Sequence, residues 1–234
     1  MPVLSVVIPV FNEEAILDSA VRALVQKLDK ARFDYEIILA ENGSTDGTVT
    51  LAEKLSREIP TVRLLRSGTP NYGLALKQGI AAARGELIIC DEIDLGDLNF
   101  YVRAITELKA GADLIVGSKR HPQSMDERPW LRRQGTAVIN GLLRLTLSFK
   151  GTDTHGLKAF KKDRLLPVVT ECRIERNLFA SELVIRAGLA GLKIREIPLR
   201  LREIRPPSVG LVRRLPQVLA DLGWLIYVIR IKGS

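Results

Sequence analysis

Short apolar runs alternate with segments of helical periodicity along the first half of this chain. The run from Val3 to Val10 precedes residues 13–28, where apolar side chains recur at intervals of three and four. Three more such pairs follow, with strands predicted at 36–40, 62–65 and 86–90, helices at 48–55, 73–83 and 98–108, and a last strand at 111–117. This alternation with short connections predicts an α/β fold, a mostly parallel sheet flanked by helices on both faces.

The second half of the chain has a different pattern. A polar stretch at 121–129 is followed by mainly helical periodicity, with one strand-like stretch at 193–201. We therefore expect a more helical C-terminal part. Residues 211–234 carry an apolar stripe bracketed by arginines and a lysine, which is typical of an amphipathic helix. Such a helix either lies on an anionic membrane or packs on protein, and the sequence favours neither.

The amino-acid composition limits the classes of binding partner and the cellular compartment that we expect for this protein. A net charge of +8 favours phosphates, polyanions or an anionic membrane surface, whereas 5% aromatic residues leave few platforms for stacking nucleic-acid bases. The two cysteines, Cys90 and Cys172, indicate no disulfide framework, as in a reducing cytosol. No basic leader precedes the first strand, and no uncharged apolar run reaches the ~20 residues that span a bilayer. We expect a cytoplasmic protein or a peripheral one on the cytoplasmic face of a membrane.

Polar turns follow the first two predicted strands. Asn12 and Glu13 come after the first, and the segment 40–48 (AENGSTDGT) comes after the second. Because the carboxyl ends of parallel strands meet at one edge of a sheet, these side chains are placed where open α/β sheets bind ligands. The alternative is a tight turn with Asp46 as the cap of the following helix. No Gly-x-Gly-x-x-Gly turn follows the first strand, which argues against a dinucleotide site.

An acidic cluster, Asp91-Glu92-Ile93-Asp94, follows the fourth strand. In an extended chain residues two apart point to the same side, so Glu92 and Asp94 can converge on one Mg²⁺ or Mn²⁺ ion while Asp91 turns away. One alternative uses Asp91 directly as a ligand and needs a one-residue bulge. The other alternative is a solvated acidic loop.

Basic residues surround the polar stretch: Lys119, Arg120, Arg132 and Arg133. If a helix begins at Pro129, Arg132, Thr136 and Asn140 lie on one face, a combination that suits a phosphate monoester. Lys158 can add to this charge. A phosphate acceptor is already ionised near neutral pH and needs no strong general base, which agrees with the absence of an evident catalytic histidine.

These segments together resemble glycosyltransferase family 2. The resemblance runs through Val6–Glu14, Glu41–Thr48, Gly73–Ala75, Asp91–Asp94, Gly117–Arg120, Arg132, Thr136, Asn140, Asp153–Phe160 and Glu196–Pro198. Its later segments most resemble the polyprenyl-phosphate (dolichol-phosphate) mannose or glucose synthase branch, with the Asp153–Lys158 form nearest the glucosyl type. The resemblance implies a GT-A (Rossmann-like) fold, a nucleotide-sugar donor, a divalent metal and inversion at the anomeric carbon.

The resemblance also implies roles for individual residues. The donor would be bound by Pro9, Phe11, Glu13, Glu41, Asn42, Ser44 and Asp91, and the metal by Glu92 and Asp94. Catalysis would fall to Asp94, Arg120, Arg132 and Lys158, and the acceptor phosphate to Arg132, Thr136, Asn140, Arg202 and Arg205. Two positions depart from the family pattern, because Asn42 stands where Asp is frequent and Glu92 where Asp-x-Asp begins.

The sequence thus predicts one catalytic domain over 1–210, with a donor half at 1–118 and an acceptor half at 119–210, followed by the helix at 211–234. The predicted activity is transfer from a UDP- or GDP-linked sugar to a polyprenyl phosphate, with an anionic membrane surface or membrane-embedded partner and no nucleic acid. One alternative is transfer to a soluble sugar hydroxyl, with Asp126 or Glu127 as base. The other is a non-catalytic protein that binds a nucleotide sugar or scaffolds a complex.

Overall fold

The computed structural model describes residues 3–126, 130–147, 149–176, 178–201 and 211–231, except for the side chains of 126, 131, 132, 136, 200, 201 and 211–219. Its elements in chain order are β1 (Leu4–Val10), α1 (Leu17–Lys30), β2 (Tyr35–Glu41), α2 (Thr48–Glu58), β3 (Val62–Arg66), α3 (Tyr72–Ala82), β4 (Leu87–Cys90), α4 (Leu98–Lys109), β5 (Leu114–Ser118), β6 (Met125–Asp126), α5 (Trp130–Leu147), β7 (Lys158–Lys161), α6 (Lys162–Glu171), α7 (Phe179–Leu189), β8 (Ile194–Pro198), β9 (Arg200–Leu201) and α8 (Leu211–Arg230).

Seven of the described strands form one sheet in the order β3-β2-β1-β4-β7-β5-β8. All neighbouring pairs are parallel except those of β7, which runs antiparallel to both β4 and β5. The predicted mostly parallel sheet is therefore confirmed. The more helical second half is confirmed by α5, α6, α7 and α8, but the sequence did not predict β7, because a four-residue strand of sequence Lys-Ala-Phe-Lys is too short to show a period. The strand predicted at 193–201 is divided, since β8 joins the large sheet and β9 pairs with β6.

The sheet is covered on both faces. Helices α1, α2 and α4 pack on one face and α3, α6 and α7 on the other. Alternate residues of β1 serve the two cores, with Val6 and Ile8 in the first and Val7 in the second. This burial on both faces explains why the strand is a continuous apolar run in the sequence. Each fully buried Val or Ile side chain contributes about 1.5–3 kcal/mol to folding.

In its described part, from residue 220 onward, helix α8 packs on the protein with one face. Leu222, Leu225 and Val228 are buried, and the first two belong to a third core shared with α5 and α7. On the opposite face the rings of Trp224 and Tyr227 stack with centroids 5.4 Å apart and remain exposed, as does Ile231. Of the two alternatives for this helix, packing on protein is observed for the face with Leu222 and Leu225, and Trp224, Tyr227 and Ile231 form an exposed apolar face. Among the described residues no helix combines the length and the apolar character that a membrane crossing requires.

Candidate active site

The loops that follow β1 and β2 are bound to each other by hydrogen bonds. Asn12 adopts a left-handed backbone conformation (φ +54°), its side-chain Oδ1 accepts from the Thr45 N–H at 2.8 Å, and its own N–H donates to Ser44 Oγ at 3.0 Å. The Glu13 N–H donates to Thr48 Oγ1 at 2.8 Å. Because residues 13–16 are held in this turn, α1 begins at Leu17 rather than at the predicted Glu13.

The polar residues at the end of β2 shape their own loop. Glu41 is buried and its Oε1 accepts from the Ser44 N–H at 2.5 Å, and the buried Asn42 accepts from the Asn71 N–H through Oδ1. Gly43 has φ +72°, and a Cβ there would lie 2.8 Å from Pro70 N. The structure therefore places Glu41 and Asn42 beneath the predicted donor site, while Phe11 is 41% exposed at its edge and Pro9, Glu13 and Ser44 are half-buried around it.

The interpretation of Asp46 as a helix cap is wrong by one residue. The N-cap position of α2 is Gly47, and Asp46 Oδ1 accepts from the Thr48 N–H at 3.0 Å. The other carboxylate oxygen accepts from the Glu14 N–H at 3.2 Å. Asp46 consequently joins the two loops as well as starting the helix.

The acidic turn after β4 alternates in burial. Asp91 and Ile93 are buried, whereas Glu92 and Asp94 are exposed. Asp91 Oδ2 accepts from the Tyr101 hydroxyl at 2.5 Å and Oδ1 from the Glu92 N–H at 2.7 Å. Burial raises the pKa of Asp91 to about 7, although the bond from Tyr101 lowers it. Asp91 thus points to α4, which disfavours both its predicted donor-binding role and the alternative with Asp91 as a metal ligand.

Removing the Tyr101 hydroxyl should destabilise this turn. In Tyr101→Phe the buried Asp91 carboxyl loses its side-chain partner, which we expect to cost about 1–3 kcal/mol of unfolding free energy. Urea unfolding measures the loss. Tyr35→Phe is the matched control, because its partner Asp29 is exposed and water can replace the hydroxyl. Equal losses in the two variants would contradict a special role for Tyr101.

Glu92 and Asp94 fit a divalent cation. Among the described residues no group of three or more His, Cys, Asp or Glu side chains is placed to hold a metal ion. A pair of carboxylates is nevertheless the protein contribution expected for Mg²⁺ or Mn²⁺ when diphosphate oxygens and water complete the coordination. Both side chains are exposed, and they follow β4 at the carboxyl edge of the sheet.

Lys158 lies in the middle of the sheet beside this turn. It is the first residue of β7, pairs with Cys90 and Val116, and is buried. Its Nζ donates to the Gly156 carbonyl at 2.9 Å. Burial lowers the pKa of Lys158 to about 8, against the opposing influence of Cys90 and Asp153. The ammonium group is therefore a buried cation within the electrostatic reach of Glu92.

The segment 151–156, which precedes β7, is held from several sides. Glu196 of β8 accepts from the Thr152 N–H at 2.6 Å and from its hydroxyl at 2.5 Å. Asp153 is fully buried and accepts from the Lys119 N–H at 3.1 Å and from the His155 N–H at 3.0 Å. Both carboxylates are thus engaged in holding backbone and hydroxyl groups.

His155 is neutral at physiological pH. Burial lowers its pKa to about 4, and its Nδ1 is 3.0 Å from Thr154 Oγ1. Thr154 Oγ1 in turn lies 2.8 Å from Ser181 Oγ. These contacts agree with a histidine that stabilises a turn.

The predicted acceptor residues are only partly described. Asn140 is buried on α5, its Nδ2 donates to the Thr152 carbonyl at 2.9 Å, and its Oδ1 has no partner among the described residues. Arg120 is exposed, with Nη1 3.5 Å from the Arg133 carbonyl at the start of α5. Arg132 and Thr136 lie on α5 with the predicted spacing, but their side chains are not described. Arg202, Arg205 and Glu127 fall outside the described residues, as does the Asp126 side chain.

The family model described as "Glycosyl transferase family 2" matches residues 5–166, more than half of the chain. The chain belongs to glycosyl transferase family 2. The matched residues include the loops after β1 and β2, the acidic turn and Lys158. The predicted enzyme class, a transferase that uses a nucleotide sugar, is confirmed at the level of the family.

Relatives of this family 2 glycosyltransferase differ in length. It is 29% identical to the glycosyltransferase AglD of Haloferax volcanii over 215 residues, which are 89% of this chain and 34% of AglD. The chain thus spans about a third of that relative. An uncharacterized glycosyltransferase of Mycobacterium tuberculosis is 28% identical over 197 residues, 82% of either chain.

Solved structures confirm the GT-A fold of this glycosyltransferase. Glucosyl-3-phosphoglycerate synthase of Mycobacterium tuberculosis, in complex with Mn²⁺, uridine diphosphate and phosphoglyceric acid, superposes with a TM-score of 0.67. The alignment covers 97% of this chain and 77% of the synthase at 19% identity. This likeness shows the shared fold.

Sequence reasoning missed three residues of this site. Tyr72 begins α3, and its pKa is raised by burial and then by the nearby charge of Glu92. Asp153 and Glu196 anchor the segment before β7. Asp153 contacts Lys119 and Glu196 contacts Thr152, partners 34 and 44 positions away, so no local pattern in the sequence could have indicated these two contacts.

Proposed function

We propose that this chain transfers a sugar from a nucleotide diphosphate sugar to a polyprenyl phosphate, with inversion and with a divalent metal held by Glu92 and Asp94. An anionic acceptor is supported by which charged side chains beside the acidic turn are already engaged by hydrogen bonds and which are cationic. The described carboxylates Asp153 and Glu196 are engaged by N–H and hydroxyl donors, whereas Lys158 is a buried cation and Arg120 is exposed.

The donor would lie across the carboxyl ends of β1, β2 and β4. Its base and ribose would contact the loop around Phe11, Glu13 and Ser44, with Glu41 and Asn42 holding that loop from below. The metal, when bound between Glu92 and Asp94, supplies charge compensation for the leaving nucleoside diphosphate. Glucosyl-3-phosphoglycerate synthase, which binds uridine diphosphate with Mn²⁺ or Mg²⁺, supports this placement through its common fold.

The acceptor phosphate would lie on the other side of the acidic turn. There Arg120 and, in the proposal, Arg132, Thr136, Asn140, Arg202 and Arg205 bind its oxygens. A phosphate monoester already carries an ionised oxygen at pH 7, so attack on the anomeric carbon requires positioning and charge screening rather than a general base. The neutral, turn-bound His155 is consistent with a site that needs no histidine base.

A lipid-linked acceptor requires access to a membrane surface. The exposed Trp224, Tyr227 and Ile231 of α8 form an apolar face with the amphipathic aromatic rings that favour a membrane–water interface. We therefore place the chain on an anionic membrane surface, through this helix or through a membrane-embedded partner.

The test is a transfer assay with a panel of donors and acceptors. UDP- and GDP-linked sugars are combined with Mn²⁺, Mg²⁺ or EDTA and with either a polyprenyl phosphate or phosphoglyceric acid, and labelled product is separated by solvent extraction. We expect labelled sugar to appear in the lipid product in a metal-dependent way, and with only one of the two nucleotides, UDP or GDP, as the donor's carrier. A thermal-shift series with the same donors reports binding to the native state independently of transfer.

The outcomes separate the alternatives. Label on phosphoglyceric acid alone would replace the lipid acceptor by a soluble one. Donor binding without transfer to either acceptor, and without donor hydrolysis, would favour the non-catalytic alternative.

A further inference from the structure

A cavity of about 630 Å³ lies between α5, α7 and β8. Most of its lining is apolar: Leu147, Phe149, Val184, Ile185, Leu189 and Ile194. Its polar residues, His121, Lys150 and Glu196, are few. Its size and its mostly apolar lining are typical of pockets that bind small ligands, about 300–1,000 Å³.

The cavity adjoins the groups proposed to bind the acceptor phosphate. Glu196, which lines it, holds Thr152 through two hydrogen bonds. The Thr152 carbonyl accepts from Asn140, and the Thr152 hydroxyl is 2.5 Å from Ser118 Oγ, two residues before Arg120. His121, directly after Arg120, is part of the cavity lining. One layer of residues therefore separates the cavity from the proposed phosphate position.

We propose that this cavity receives the hydrocarbon chain of the acceptor, starting with the isoprene units nearest the phosphate. The inference rests on the proposed function, which supplies a lipid phosphate as acceptor. A sugar or nucleotide in the same place would bring hydroxyl and amide groups against Leu, Val, Ile and Phe side chains, which offer no hydrogen bonds. An isoprenoid chain has no such groups and is stabilised by the removal of its apolar surface from water.

The mouth of the cavity is suited to a chain that continues outward. Leu189 at the end of α7 lines the cavity and is 65% exposed, so apolar surface extends from the interior to the solvent. Lys150 is exposed at the same cavity. A longer polyprenyl chain can therefore leave past Leu189 while its first units are enclosed.

Gly188 of α7 allows a direct test by filling the cavity. It lines the space, and among the described atoms a Cβ added there would meet Ile194 Cδ1, at the ordinary contact distance of 3.7 Å. Gly188→Leu should thus fold and place its side chain in the cavity. Gly141→Leu is the matched control, because Gly141 is an exposed glycine of α5 whose added Cβ would meet no described atom of another part of the chain within 4 Å.

Transfer is measured with dimethylallyl phosphate, which has one isoprene unit, and with farnesyl phosphate, which has three. In Gly188→Leu we expect the KM for farnesyl phosphate to rise at least about tenfold with kcat nearly unchanged, because the lost contacts bind the substrate and the transition state equally. The KM for dimethylallyl phosphate should change less than about twofold. Leu189→Gln, at an exposed position, should give the same selective loss. Gly141→Leu should behave as the unmodified chain with both acceptors.

An equal change with both phosphates in Gly188→Leu, or no change with farnesyl phosphate, would overturn the assignment of the cavity. Measurements on the unmodified chain distinguish a wrong assignment of the cavity from a wrong proposal for the acceptor. If it binds a nucleotide sugar in the thermal-shift series but transfers to neither phosphate, the lipid phosphate acceptor itself is wrong and the cavity assignment falls with it.

Discussion

Neutralising the acidic turn should remove most of the transferase activity. In Glu92→Gln and Asp94→Asn the side chains keep their size and lose the charge that would attract a divalent cation. Compensation of leaving-group charge by a metal contributes several kcal/mol to the transition state, and each 1.36 kcal/mol is a factor of ten in rate. We expect kcat to fall by about 10²–10³-fold in either variant, measured as sugar transfer at saturating Mn²⁺.

Donor binding provides the second measurement for these variants. The stabilisation by nucleotide sugar that depends on Mn²⁺ should disappear, because the metal joins the diphosphate to the protein. Asp97→Asn is the matched control: Asp97 caps α4 by accepting from the Asn99 N–H at 3.0 Å, and asparagine caps a helix equally well. Retained activity in Asp94→Asn together with loss in Asp97→Asn would show that the metal has been placed on the wrong carboxylate.

The alternation at the acidic turn was predictable because it depends only on local geometry. An extended chain is expected to turn successive side chains to opposite sides, and the burial of Asp91 and Ile93 with exposure of Glu92 and Asp94 agrees with this pattern, although the Leu95 N–H donates to the Glu92 carbonyl and closes a turn there. The partner of Asp91 could not be predicted in the same way. Tyr101 lies ten residues later on α4, and its hydroxyl reaches Asp91 only because α4 packs against the sheet.

Polar residues at strand ends have two different roles that look the same in a sequence. Ser44 and Glu41 both belong to the predicted donor loop, yet Glu41 is buried and holds the loop from below. A site needs both the group that contacts a ligand and the group that fixes its backbone, and both are polar. The sequence therefore predicts where a site would lie, but it does not separate the residues that would contact a ligand from those that hold the loop.

Long-range contacts account for the rest of what the sequence did not predict. Glu196 and Thr152 are 44 residues apart, and their hydrogen bonds exist because β8 pairs with β5 at the far side of the sheet. The position of Lys158 likewise depends on β7 entering between β4 and β5, against the parallel pattern of the first half. The same insertion joins the predicted donor and acceptor halves in one sheet, with a strand from beyond residue 118 next to β4.

Replacing Lys158 by methionine should lower activity and raise stability at neutral pH. The side chain keeps its length and loses a charge that the fold has removed from water. We expect transfer to fall by about 10²-fold, because in the proposed arrangement Lys158 supplies a fixed cation near the reacting phosphates. The depressed pKa of Lys158, about 8, corresponds to a penalty of roughly 3 kcal/mol for holding the charge, and the lost bond to Gly156 costs about 1 kcal/mol. The net gain in unfolding free energy at pH 7 should therefore be about 1–2 kcal/mol.

The pH dependence of unfolding provides the decisive measurement for Lys158. Its pKa in the folded state is about 8, below the 10.5 of an exposed lysine, so between these values the unfolded chain binds more protons than the native one. The unfolding free energy of the unmodified chain should consequently rise with pH across this window relative to Lys158→Met. Lys161→Met, three residues along β7 at a half-buried position, should not change the slope. The contrary outcome is a Lys158→Met variant that is less stable at pH 7 and whose unfolding free energy has the same pH dependence as that of the unmodified chain. It would mean that water solvates the ammonium group, which contradicts a buried cation at this position.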